Sequence, residues 1–134
     1  MKQPAERKIG PYTMCGTKFD LEIHSETGDA SFEWPVAASS PLNRPVLKIG
    51  IRDNTWAQIV SNVLHELMEA SALWYRCLYE RSSFLFDASG GRHIIHMDHT
   101  QFSEICLEVG DVLTYLIPDL ADVMNSKQKK KGKK

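Results

Sequence analysis

Three side chains able to do hydrolytic chemistry stand within just over one helical turn in Val63-Leu64-His65-Glu66-Leu67-Met68-Glu69-Ala70. On a helix, residues four apart share a face, so His65 and Glu69 point the same way. Glu66 is turned ~100° from His65. An imidazole and a carboxylate one turn apart can hold a divalent ion, and a glutamate beside them can deprotonate a water bound to it. The pattern His-Glu-x-x-Glu differs by one residue from His-Glu-x-x-His, the arrangement that holds zinc on one helix face. Glu69 replaces the second histidine, and a carboxylate is an accepted zinc ligand.

A third ligand has to come from elsewhere. His99 is the first choice: it lies three residues before Phe102 and seven before Cys106, so it extends the apolar stripe of a downstream helix and its ring is expected to face the first helix. Asp98 is the second choice, although it is equally suited to cap that helix. His96 and Glu104 are weaker candidates, and the phase of the stripe puts Glu104 on the solvent side. The expected site is thus His65, Glu69 and His99 around zinc, with Glu66 as general base. The competing reading has no metal: His65, Glu66 and Glu69 form the wet stripe of the helix with Asn62, Ala72 and Arg76, and Glu69 pairs with Arg76. His93, His96 and His99 recur every three residues, a mild metal signal, since the first two fall in extended or loop chain. His24 reads as a surface histidine, and Trp34, Trp56 and Trp74 as core or rim anchors. Gly90-Gly91 stands alone, so no phosphate-cradling loop is present, and no nucleophile elbow is visible.

The elements that must position these groups follow from periodicity. Phe19, Leu21 and Ile23 alternate with Lys18, Asp20, Glu22 and His24, which predicts a half-buried strand over 17–24. Glu26 to Asp29 is a turn, with a returning strand over Ala30 to Trp34. Three prolines make Pro35 to Pro45 a loop, and Leu47, Ile49 and Ile51 are in phase for another strand. Thr55 and Gln58 have capping-box spacing, opening a mostly buried helix that runs without Gly or Pro to about Glu80. Phe84 to Phe86 and Ile94-Ile95 are expected to pair as a short hairpin. Phe102, Ile105, Cys106, Val109, Val112, Leu113 and Leu116 predict an amphipathic helix opened by Asp98 and stopped by Pro118, with one or two further turns over 119–124. The expected fold is α+β: a small N-terminal antiparallel sheet packed on two main helices.

From about Leu47 to Met124, some 60% of the chain, the sequence resembles small zincin-like metallopeptidase domains of phage and prophage type. The resemblance rests on the Leu64-His65-Glu66 motif after a strand, on Met97-Asp98-His99, and on Pro118-Asp119-Leu120 at the end of the second helix. It implies a zincin-like fold, His65 as first ligand, Glu66 as general base, zinc as cofactor and a peptide or protein as substrate. Glu69 is the departure from the family pattern.

With 134 residues the chain is expected to form one domain, 1–126, in which the polar first 12 residues are a loose leader. Six of the 16 basic residues are lysines between Lys127 and Lys134, a like-charge block expected to be disordered. Without them, 10 basic residues face 17 acidic ones, a net −7, which argues against a basic nucleic-acid-binding surface on the body. The tail could still attract nucleic acid or an acidic partner weakly and without sequence specificity. Cys15, Cys77 and Cys106 include no CxxC pair and read as reduced thiols, with Cys77 and Cys106 on apolar helix faces. No apolar run approaches the ~20 residues of a membrane span, and the charged N-terminus lacks an apolar signal core, so a cytoplasmic protein without a membrane partner is expected. Two functional classes follow: a zinc-dependent hydrolase or its degenerate relative, and a non-catalytic accessory protein using the same scaffold to bind a protein or nucleic acid.

Overall fold

The computed structural model describes residues 7–34, 44–75, 78–80, 93–95 and 97–131. The elements in chain order are β1 (Arg7–Met14), β2 (Thr17–His24), β3 (Ala30–Glu33), β4 (Val46–Gly50), α1 (Trp56–Trp74), β5 (Leu78–Glu80), β6 (His93–Ile95) and α2 (His99–Lys131). Strands β1 to β4 form one sheet with α1 and α2 packed on its apolar face, an α+β architecture as the patterning predicts. No helix among the described residues is long and apolar enough to cross a membrane.

The sheet is mixed, not wholly antiparallel. Its order is β1-β2-β4-β3, with β4 parallel to β2 and antiparallel to β3. Strand β3 therefore does not return along β2; β4 lies between them. The physical reason is hydrophobic demand: Leu47 and Ile49 of β4 are fully buried and stand beside Leu21 and Ile23 of β2, so the most apolar strand takes a central place. The chain between β2 and β3 crosses close over the end of β4. A Cβ on Gly50 would sit 2.5 Å from the Thr27 carbonyl oxygen, so only glycine fits there.

The first residues are not a loose leader from Arg7 onward. Strand β1 pairs antiparallel with β2 through a tight Cys15-Gly16 turn, in which both residues have positive φ, 50° and 72°. Tyr12 and Met14 bury their side chains in the core. Pro11 is tolerated because β1 is an edge strand whose register shifts between Ile9 and Tyr12.

Both helices differ from their expected extents. Helix α1 ends at Trp74, with Tyr75 as C-cap, and the chain re-enters extended structure at Leu78 rather than staying helical to Glu80. Strand β5 pairs with β6, so Ile94-Ile95 do belong to a two-stranded ribbon, but with Leu78–Glu80 as partner. Phe84 to Phe86, Arg76, Cys77 and most of the predicted loop 35–45 lie outside the described residues.

Helix α2 passes through Pro118 without stopping and continues to Lys131, into the block predicted to be unstructured. A helix-interior proline costs about 3 kcal/mol. Beyond it, Leu120 and Val123 are buried, each stabilising by roughly 1.5–3 kcal/mol, and the Tyr12 hydroxyl donates a 2.6 Å hydrogen bond to Asp119. Burial outweighs the proline. Buried positions Ile105, Val109, Val112, Leu116, Leu120 and Val123 keep one stripe along the sheet. We expect Leu120→Ala to lower unfolding free energy by about 2–5 kcal/mol in urea titrations. Pro118→Ala should be neutral or stabilising. If α2 ended at Pro118, the Leu120 variant would change stability by no more than ~0.5 kcal/mol.

Candidate metal site

The register of α1 is set at its start. Thr55 Oγ1 accepts from the Gln58 backbone N–H at 3.3 Å, and Gln58 Oε1 accepts from the Thr55 N–H at 2.8 Å, the capping box read from the sequence. Ile59, Val63, Leu67 and Ala70 then face the core. With that face fixed, His65 and Glu69 fall on the outward side and Glu66 on the flank between core and solvent.

The His65 Nε2 and Glu69 Oε2 atoms lie 3.6 Å apart, with side chains 66% and 39% exposed. Two ligands of a tetrahedral zinc at ~2.1 Å stand ~3.4 Å apart, so this pair is close to ligand spacing as it stands. One donor atom from each of His65, Glu66 and Glu69 lies within 4.8 Å of the others, and among the described residues these three are the group close enough to hold a metal ion. All three come from a single helix.

Glu66 differs from its neighbours in environment. It is half-buried and lines a recess together with Phe32 of β3. Burial raises its pKa above the usual glutamate value, and Glu69 adds to the rise. The neighbouring His65 charge and, to a lesser degree, the Phe32 backbone oppose it. A carboxyl group pushed upward in this way is suited to accept and return a proton.

A recess of about 100 Å³ opens beside the carboxylates, lined by Phe32, Trp34, Glu66, Glu69, Ala70 and Leu73. Its aromatic wall is built from the core outward. Tyr12 and Phe19 have ring centroids 5.7 Å apart, Phe19 and Phe32 5.4 Å, and Phe32 and Trp34 5.1 Å with planes at 52°. Strand alternation puts Phe32 and Trp34 on one side of β3. Nothing in the sequence shows that this side meets Glu66.

The expected third ligand does not arrive. His99 is exposed at the first turn of α2 and stands outside the cluster. It lies six residues before Ile105, which turns it ~120° away from the buried stripe. Phe102 and Cys106, whose phase would face His99 inward, are both exposed. Asp98 is the N-cap instead: its Oδ1 accepts from the Gln101 N–H at 2.8 Å, and Gln101 Oε1 accepts from the Asp98 N–H at 3.0 Å. Glu104 is exposed, as its phase predicted, and outside the cluster. His96 lies outside the described residues, as does Arg76, the partner of Glu69 in the metal-free reading. Ala72, placed by that reading on the wet stripe, is fully buried.

Cys15 offers no competing nucleophile. Burial, reinforced by Glu108, pushes its thiol up to about 11, so it stays protonated at neutral pH.

Comparison with protein-family models, with curated proteins and with solved structures gives no match for this chain.

The raised pKa of Glu66 has a stability consequence. Its folded-state pKa exceeds the unfolded value, so the folded protein binds this proton more tightly and loses stability as pH rises from about 4 through the Glu66 titration. We expect Glu66→Gln to gain stability relative to wild type over that range, measured by urea unfolding at several pH values. A stability difference independent of pH would show that the carboxyl is not desolvated.

Proposed function

We propose that the protein is a zinc-binding, zincin-like hydrolase acting on an amide bond of a peptide, with the site centred on α1. The observation that carries this is the convergence of His65, Glu66 and Glu69 within 4.8 Å on one helix turn. His65 and Glu69 are the protein ligands. The donor set of one imidazole and one carboxylate suits zinc, with water completing the shell. Bound there, the ion would supply Lewis acidity to a substrate carbonyl and lower the pKa of water. Glu66, half-buried beside β3 and raised in pKa, takes the proton from the attacking water and delivers it to the leaving amine. Only two ligands with Glu66 nearby make a weaker centre than three histidines would, so we expect zinc to exchange readily. The outer edge of β3 has no strand paired to it among the described residues, and it runs beside Glu66. An extended peptide adding along that edge would bring its carbonyls to the site.

A second reading, an accessory protein binding a macromolecular partner, has its own support in exposed Trp74, Phe102, Leu107 and Tyr115, apolar side chains away from the recess. It requires neither metal nor Glu66.

We expect His65→Ala and Glu69→Ala each to weaken zinc binding at least ~10-fold in calorimetric titration, the loss seen even for outer-shell partners. Glu66→Gln should keep the zinc and lower peptide hydrolysis by ~10²–10⁴. Zinc content unchanged in His65→Ala would remove the metal reading. A Glu66→Gln protein that keeps its full biological effect would favour the accessory role.

A further inference from the structure

The recess beside Glu66 has a composition unlike the rest of the site. Two of its walls are the carboxylates Glu66 and Glu69; the others are Phe32, Trp34, Ala70 and Leu73. Trp34 is 37% exposed and Leu73 47%, so both stand at the rim where an incoming group would first touch. Ala70 is buried and has only a methyl group, which leaves room between the helix and β3. Phe32 and Trp34 are held in place by ring contacts that run back to Phe19 and Tyr12 in the core, so the wall exists before anything binds.

We infer that this recess is a specificity pocket that takes one aromatic or branched apolar side chain of the substrate, next to the carbonyl that an ion on His65 and Glu69 would polarise. The inference deepens the metal-site reading and rests on it for the position of the carbonyl. The volume of about 100 Å³ suits a single side chain rather than a segment of chain. Sharing Glu66 and Glu69 with the metal cluster puts that side chain directly beside the reacting bond. A cationic side chain is the competing occupant, because two carboxylates and two aromatic rings can attract a cation. The metal answers it: with Glu69 on a divalent ion, one of the two carboxylates is already engaged, and Phe32, Trp34, Ala70 and Leu73 leave the other walls apolar.

The test uses the full chain with and without zinc. N-acetyl-phenylalaninamide, N-acetyl-leucinamide, N-acetyl-alaninamide and N-acetyl-argininamide are titrated while the indole N–H resonance of Trp34 is followed, assigned by its loss in Trp34→Phe. We expect the phenylalanine and leucine amides to shift that resonance at several-fold lower concentration than the alanine and arginine amides on the zinc-loaded protein. Leu73→Arg, at an exposed helix position where folding is undisturbed, should abolish the preference and leave zinc binding intact. Ala70→Leu should fill the recess, and its fold is checked by the dispersion of the same spectrum. Equal response to all four amides, or a preference for arginine, overturns the inference. His65→Ala separates the two ideas: loss of zinc binding without loss of the aromatic preference in the metal-free protein leaves both standing. An aromatic preference in a wild type that binds no zinc keeps the pocket and removes the metal centre.

Discussion

The docking of α1 on the sheet is the constraint from which the site follows. Ile59, Val63 and Leu67 are fully buried and Ala70 nearly so, and this row seats the helix over β4 and β3. A helix repeats every 3.6 residues, so fixing that row fixes every other direction on it. Leu67 turns inward midway between His65 and Glu69, and those two must then point outward together. Glu66 is left on the flank that meets β3. The chemistry at the surface is thus oriented by apolar contacts beneath it, each fully buried aliphatic side chain contributing roughly 1.5–3 kcal/mol. By contrast, the half-exposed His65–Glu69 pair is in a setting where ion pairs contribute about 0–1 kcal/mol. The pair does not hold the helix in place; the helix holds the pair.

The sheet topology matters for the same reason. Inserting β4 between β2 and β3 makes β3 the outer strand next to α1, and this brings Phe32 beside Glu66. Had β3 returned directly along β2, Phe32 would face a different neighbour. The His65 charge, and to a lesser degree the Phe32 backbone, oppose without cancelling the desolvation that raises the Glu66 pKa. The aromatic series from Tyr12 to Trp34 runs along the same route, so core packing and the recess are parts of one apolar assembly.

Helix α2 supports this arrangement and contributes no ligand. Its buried stripe packs beneath β1 and α1, Tyr12 donates to Asp119, and Glu108 accepts from the Cys15 N–H at 2.9 Å, which ties the β1–β2 turn to the helix. Glu108 and Asp119 are thereby spent on the fold. Asp98 caps the helix, and His99 extends into solvent. A site built from one helix has fewer ligands than one built from two, but its geometry depends on fewer long-range contacts.

Much of this was legible in the residues themselves. Strand β2, strand β4, the Thr55–Gln58 capping box, the shared face of His65 and Glu69 and the α+β class all follow from local rules: alternation, helical period and side-chain reach to a neighbouring backbone group. Those rules act over a few residues, and the sequence contains everything they need. The order of strands, the passage of α2 through Pro118, the outward turn of His99 and the meeting of Phe32 with Glu66 were decided only by the tertiary structure. Each depends on a balance between distant groups: a proline penalty against the burial of Leu120 and Val123, or the choice of which strand is apolar enough to lie inside. A helical stripe also carries no mark of its true centre, and Phe102 and Cys106 are as apolar as Ile105. Only packing against the sheet chooses which of them is buried, and that choice turned the histidine away from the site.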